Sequence, residues 1–293
     1  MDGEQPLVSV IVPVWNGAEC IAECLQSLEA QTYPRRKFEI IVVDNGSTDA
    51  TAEIVSGFKS VILLHEVRPG SYAARNLGLK SARGSLVALT DADCRAHPDW
   101  LRSVTEVARH EPDVGIFAGE VRLEMDSNEG SMVCTAFEGL FSFNQARNIK
   151  NGGSVTANWI SPAALLRAFG GFRADLKSGG DFELARRMSA AGHPVRYVPQ
   201  AIVYHPARAT FGQLAAKARR VVGGQMARGD RGRGLGWLWR ATRTYGSRLR
   251  TVWRSPDHGH SMKLRLSLLI VRLHLATCLE VLRIAIGAEP RRA

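Results

Sequence analysis

Chemistry in this chain has to come from a few acidic residues that stand where apolar runs end. Asp44 follows Phe38–Val43 and opens Asp44-Asn45-Gly46-Ser47-Thr48-Asp49. A carboxylate there can accept from a ring N–H such as uracil, thymine or guanine carries, whereas adenine and cytosine present no equivalent donor. The same position also suits a plain turn or capping Asp. Asp91 and Asp93 follow Leu86–Leu89 as Thr90-Asp91-Ala92-Asp93-Cys94. Two carboxylates at the mouth of a buried strand repel each other and call for a cation. Hard oxygen ligands of this kind suit Mg²⁺ or Mn²⁺, with water and phosphate oxygens filling the shell. Asp181 stands behind Gly179-Gly180 at the head of a helical stretch. That fits either a helix N-cap or a general base taking a proton from an attacking hydroxyl. Glu183 does not share its helix face, so only one of the two meets a substrate.

Two further features join this set. His205 follows the short apolar run Ala201–Tyr204 and can complete a metal site begun by Asp93. Arg219 and Arg220, in Lys217-Ala218-Arg219-Arg220, can clamp a diphosphate through their guanidinium forks, or simply belong to a basic tail. The cysteines, five in number with no Cys-x-x-Cys pair, support neither a disulfide framework nor a zinc site, and Cys94 reads as packing.

The elements that must hold these residues are legible in the apolar pattern. Leu7–Val14, Phe38–Val43, Val61–Leu64 and Leu86–Leu89 are short, β-branched and uninterrupted, as strands covered on both faces must be. Between the first pair, Ile21, Cys24, Leu25 and Leu28 fall at helical spacing. Strand and crossover helix repeating at this interval predict a parallel sheet with ligands at the carboxyl ends of its strands. Past residue 112, Val114–Leu123, Ser154–Ile160 and Ala201–Tyr204 read as strands and Asp181–Ala191 as a helix. Beyond Phe211 the chain is helical, basic and rich in tryptophan.

Composition sets the class. At 45% hydrophobic and 23% charged residues the 293-residue chain is ordinary globular protein, not disordered or collagen-like. The net charge of +10 conceals a division. Residues 1–207 carry 20 Lys and Arg against 24 Asp and Glu, and residues 208–293 carry 18 against 4. Such a tail binds a polyanion, either nucleic acid or an anionic membrane. Within it, Leu235–Arg254 interleaves Trp237, Trp239 and Trp253 with five arginines, a pattern suited to a membrane interface. No uncharged apolar run reaches the ~20 residues of a membrane span, and residues 1–10 lack a secretory signal. The expected location is cytoplasmic, peripheral on the inner face of the membrane, with no nucleic-acid partner.

Taken together, Val10–Gly17, Val42–Asp49, Ala74-Arg75-Asn76-Leu77-Gly78, Asp91-Ala92-Asp93 and Gly180-Asp181 with Leu184 resemble the family-2 inverting nucleotide-sugar glycosyltransferases, over roughly residues 7–225. The resemblance implies an α/β fold of GT-A type, a Rossmann-like, mostly parallel sheet flanked by helices, here with a basic α-helical C-terminal extension. It implies domains at 1–225 and 226–293. It places Pro13 and Asp44 at the nucleobase, Asp91 near the ribose or diphosphate, and Val14, Asn16 and Arg75 among the residues that bind the nucleotide sugar. Asp93 would bind the metal and Asp181 would be the base, with Glu183 in reserve because Gly180 stands where the family usually has Glu. The donor would be a nucleotide sugar, UDP-linked before GDP or dTDP, and the acceptor a glycan or lipid-linked hydroxyl. The Gln-x-x-Arg-Trp signature of processive members is missing, which favours adding one sugar at a time. A nucleotidyltransferase, or a non-catalytic nucleotide-sugar or membrane-binding module, are the alternatives. The oligomeric state is not legible.

Overall fold

A computed structural model describes residues 5–125, 131–150, 152–227 and 235–289. Along the chain the elements are β1 (Val8–Val14), α1 (Ile21–Glu29), β2 (Phe38–Asp44), α2 (Thr51–Ser56), β3 (Val61–His65), α3 (Ser71–Ser81), β4 (Leu86–Leu89) and β5 (Arg95–Ala96). Next come α4 (Trp100–His110), β6 (Ile116–Glu124), α5 (Met132–Phe141), α6 (Gln145–Lys150), β7 (Trp159–Pro162), α7 (Ala163–Ala168), α8 (Gly180–Ala190) and β8 (Val195–Pro206). The helices α9 (Phe211–Ala227), α10 (Leu235–Arg254) and α11 (His260–Ala285) follow. They divide into two units. One comprises Met1–Arg122, Phe143–Asp175 and Gly180–His205, and the other Leu123–Ser142, Leu176–Gly179 and Pro206–Ala293.

The first unit is built on an eight-stranded sheet of order β3-β2-β1-β4-β7-β6-β8-β5. Its leading half is parallel: β1 pairs with β2 on one side and β4 on the other, and β3 pairs with β2. Every residue of β1 and β2 is buried, which explains their richness in Val and Ile, and the buried Ser9 hydroxyl is satisfied by Glu39 across the pair. Each such side chain taken from water contributes about 1.5–3 kcal/mol. The order reverses between β1 and β4, so a crevice opens there at the carboxyl ends of the strands. Helix α3 lies against β1 through Gly78, where a Cβ would come 2.5 Å from Cγ2 of Ile11. That close approach sets the depth of Arg75 and Tyr72, one and two turns earlier on α3.

The trailing half of the sheet differs from the expected strands in two places. The expected strand Ser154–Ile160 begins only at Trp159, because Thr156–Asn158 is a 3₁₀ turn. Side chains replace the ladder there. Asn158 donates to the carbonyls of Glu120 and Ala201 at 2.8 Å and accepts from the Trp100 indole at 2.8 Å. Gln145 accepts from the Val155 N–H and donates to the Asn158 carbonyl. The run Ala201–Tyr204 lies inside β8, a strand of 12 residues. Where β8 pairs antiparallel with β5, Arg95 faces Tyr204 and Ala96 faces Val203. This register carries the residues just before Arg95 to those just after Tyr204.

The second unit is helical. Phe137, Leu214, Tyr245, Val252, Leu266 and Ile270 form its core. Within it the fully buried Glu138 pairs with Arg208 at 2.8 Å and Lys217 at 3.1 Å, and accepts from the Ser142 hydroxyl at 2.6 Å. Burial raises the Glu138 carboxyl, but Lys217 and Arg208 outweigh it and hold the group below the usual carboxylate range. Its contribution to stability is therefore present above that range and lost as pH falls through the depressed value. Replacing Glu138 by Gln strands two cations, and urea unfolding should show a loss of about 3 kcal/mol at pH 7.

Candidate active site

The loops after β1 and β2 are tied to each other by short polar side chains. Asn16, in the left-handed region at φ 49°, accepts the Thr48 N–H at 2.8 Å, and its own N–H donates to the Ser47 hydroxyl at 2.9 Å. Asp49 accepts from the Ala18 N–H at 3.1 Å and from Thr51. Val14 and Asp44 are register partners at the ends of their strands, with Pro13 opposite Val43. Asp44 is buried, its Oδ1 accepting the Ser47 N–H at 3.1 Å and its Oδ2 lying 3.4 Å from Nδ1 of His65. Pro13, Val14, Asn16 and Asp44 thus share one carboxyl edge, with the Asn16 side chain spent on holding the loop.

Across β1, the end of β4 carries Asp91 and Asp93. Asp91 Oδ1 is ion-paired with Nη2 of Arg75, which α3 buries at 4% exposure. The Arg75 Nε is buried with no hydrogen-bond partner among the described residues. Asp93 Oδ2 lies 3.5 Å from Nε2 of His205, whose ring is buried against Phe143 at 4.3 Å between centroids. The β5–β8 register is what joins residues 112 positions apart. Ligand atoms of Asp91, Asp93, Cys94 and His205 all lie within 4.8 Å of one another, a group that can hold a divalent metal ion. Carboxylate and imidazole donors fit Mn²⁺ or Mg²⁺. Burial, then the Asp91 and Asp93 carboxylates, push the Cys94 thiol well up, so that it remains a neutral S–H.

Asp181 sits in the first turn of α8. Its Oδ1 accepts the Phe182 N–H at 3.0 Å and the Tyr72 hydroxyl at 3.3 Å. Burial raises the carboxyl above its ordinary value against the opposing pull of the Phe182 N–H, Arg75 and Tyr72. Glu183 is held elsewhere: Arg187 grips it at 3.0 Å and also donates to the carbonyls of Phe169 and Gly171. Arg75 acts on both Asp91 and Asp181, so Asp181, Tyr72, Arg75, Asp91, Asp93 and His205 form one continuous string. Tyr72 was not singled out in the sequence, where a tyrosine among small residues carries no signal. It also explains Gly180, because a Cβ there would lie 2.8 Å from the Tyr72 ring. Arg219 and Arg220 stand on α9 in the helical unit, and Arg220 Nε is buried without a hydrogen-bond partner among the described residues.

Known proteins show the family and the fold. The model of Glycosyl transferase family 2 matches residues 9–168. Glycosyltransferase AglE of Haloferax volcanii is 36% identical over 233 residues, 77% of this chain and 75% of that protein. The mannosyltransferase PcManGT from Pyrobaculum calidifontis, solved with GDP-Man and Mn²⁺, superposes at TM-score 0.64 and 21% identity, covering 96% of this chain and 88% of that one. Staphylococcus aureus TarS, solved with UDP-GlcNAc, superposes at TM-score 0.57 and 19% identity over 97% and 93% of the two chains. At such identities the two structures speak for the fold, which is GT-A. The family model and the long match to AglE carry the assignment further: this chain belongs to glycosyl transferase family 2 and is a glycosyltransferase.

Proposed function

We propose that this enzyme is an inverting transferase that moves one sugar from a UDP-sugar to a hydroxyl of a glycan or lipid-linked acceptor. The observation that carries the reading is the string from Asp181 through Tyr72 and Arg75 to Asp91, Asp93 and His205. Asp181 takes the acceptor's hydroxyl proton as the oxygen bonds the anomeric carbon. The bond from that carbon to the diphosphate breaks on the opposite face, so configuration inverts. Asp93 and His205 would hold Mg²⁺ or Mn²⁺, with Asp91 beside them, and the ion would stabilise charge on the leaving diphosphate. The buried Nε of Arg75, which has no hydrogen-bond partner among the described residues, is a donor suited to a phosphate oxygen. The buried Asp44 carboxylate, with Pro13, Val14 and Asn16 on the same edge, suits the imide N–H of uracil. Membership of the family argues against a nucleotidyltransferase.

The helical unit supports a second part of the proposal, attachment to an anionic membrane surface on the cytoplasmic side. Helix α11 turns Leu266, Leu269, Ile270 and Leu273 inward, yet Leu264, Leu268, Val271, Leu275, Leu279 and Leu282 are exposed. These six recur every three or four residues and form one exposed apolar stripe along the helix. Such a stripe on a basic helix suits a lipid surface. Trp239 and Trp253 of α10 are also exposed, with Arg243 over the Trp239 ring at 5.5 Å, which suits anionic headgroups. Among the described residues no helix is long and apolar enough to cross a membrane.

Four measurements test this reading. Asp181→Asn should lower kcat by about 10²–10⁴-fold with UDP affinity retained. In the unsubstituted enzyme kcat/KM should fall as pH drops through a value above the ordinary Asp range, because only the ionised carboxylate takes the proton. Thermal melting with Mn²⁺ and a panel of UDP, GDP and dTDP should show the largest rise for UDP, and Asp93→Ala should erase the metal dependence; a larger rise with GDP would move the donor assignment. In flotation with phosphatidylglycerol vesicles, the double change Leu268→Glu and Leu275→Glu should abolish binding that the unchanged chain shows, while equal binding by both would remove α11 from the contact.

A further inference from the structure

Helix α8 opens with Asp181 within reach of a tyrosine that no part of the proposed reaction has yet used. The Tyr72 side chain is buried, and its ring stacks on Phe172 at 5.6 Å with 13° between planes. A phenol oxygen offers one donor and two lone pairs. Here the lone pairs accept the N–H of Gly180 at 2.9 Å and of Asp181 at 3.4 Å, and the hydroxyl donates to Asp181 Oδ1 at 3.3 Å. One atom therefore holds both the backbone that begins α8 and the carboxylate that projects from it. Asp181 Oδ1 accepts from both Tyr72 and Phe182, which sets the orientation of the carboxylate. The ring leaves no room for a side chain at position 180, where a Cβ would meet Cε2 at 2.8 Å and Cζ at 2.9 Å. Gly180 and Tyr72 are thus a matched pair.

Resting on the proposed role of Asp181 as base, we propose that Tyr72 is its positioning residue, fixing which carboxylate oxygen faces the acceptor. Burial and the neighbouring Asp181 carboxylate push the phenol well above its usual range, so it remains an O–H donor through the working pH range. The charged and titratable groups facing Asp181 are Tyr72 and Arg75, both from α3. Loss of the Tyr72 donor leaves the ionised carboxylate less supported, which raises its pKa. Since Arg75 stays in place, the expected shift is that of one lost hydrogen bond.

Tyr72→Phe keeps the ring, the stack on Phe172 and the steric block, and removes only the hydroxyl. Expected are a loss of kcat of about tenfold or more, unchanged calorimetric affinity for UDP, and an acidic limb of kcat/KM displaced to higher pH. Gly180→Ala reaches the same bond from the other side, by displacing the ring, and should give the same displacement of the limb. Asp181→Asn is assayed beside them. An active Asp181→Asn enzyme overturns both the base assignment and this inference. An inactive one, together with native kcat and an unmoved limb in whichever of the other two variants folds, overturns the role of Tyr72 alone.

Discussion

Two carboxylates separated by a single residue, Asp91 and Asp93, stand with like charge at the mouth of a buried strand. Much of the sheet unit can be understood as the arrangement that makes this tolerable. Arg75 reaches Asp91 from α3, and His205 reaches Asp93 from the end of β8. Each partner depends on a packing event elsewhere. Arg75 is at the right depth because Gly78 lets α3 close on Ile11, and His205 arrives because β8 pairs with β5 just past Asp93.

The catalytic proposal depends on contrast between environments. Asp181 is raised by burial, whereas Glu183, two residues on, is committed to Arg187 and the turn before α8. Periodicity alone leaves both open, since either can begin a helix. What separates them is which one meets Tyr72 and Arg75 and which one meets a structural arginine.

The helical unit obeys a different logic. A helix that is apolar on one stripe packs against its neighbours, and one that is apolar on two has a second surface to cover. Helix α11 is of the second kind, and the arginines and tryptophans of α10 supply a basic, amphipathic flank. Charge along the chain follows the same division, with the acidic residues concentrated in the first 207 positions. Glu138 and Glu280 are buried acids of the helical unit, and their basic partners, Arg208 and Lys217 for the one and Arg283 for the other, account for them.

How much of this was legible in advance differs by kind of information. The strands β1, β2 and β4, the helices between them and the acidic residues at their ends follow from local pattern, because a strand buried on both faces must be continuously apolar and a ligand-facing residue must come where that run stops. The five motifs in order were enough for the family. The start of β7 was missed because side chains of Asn158 and Gln145 replace the ladder there, and these partners are far apart in number. Tyr72, the pairing of Arg75 with Asp91 and the meeting of Asp93 with His205 were decided only by the tertiary structure. They depend on strand register and helix depth, which arise when distant segments pack and leave no periodic trace in the chain.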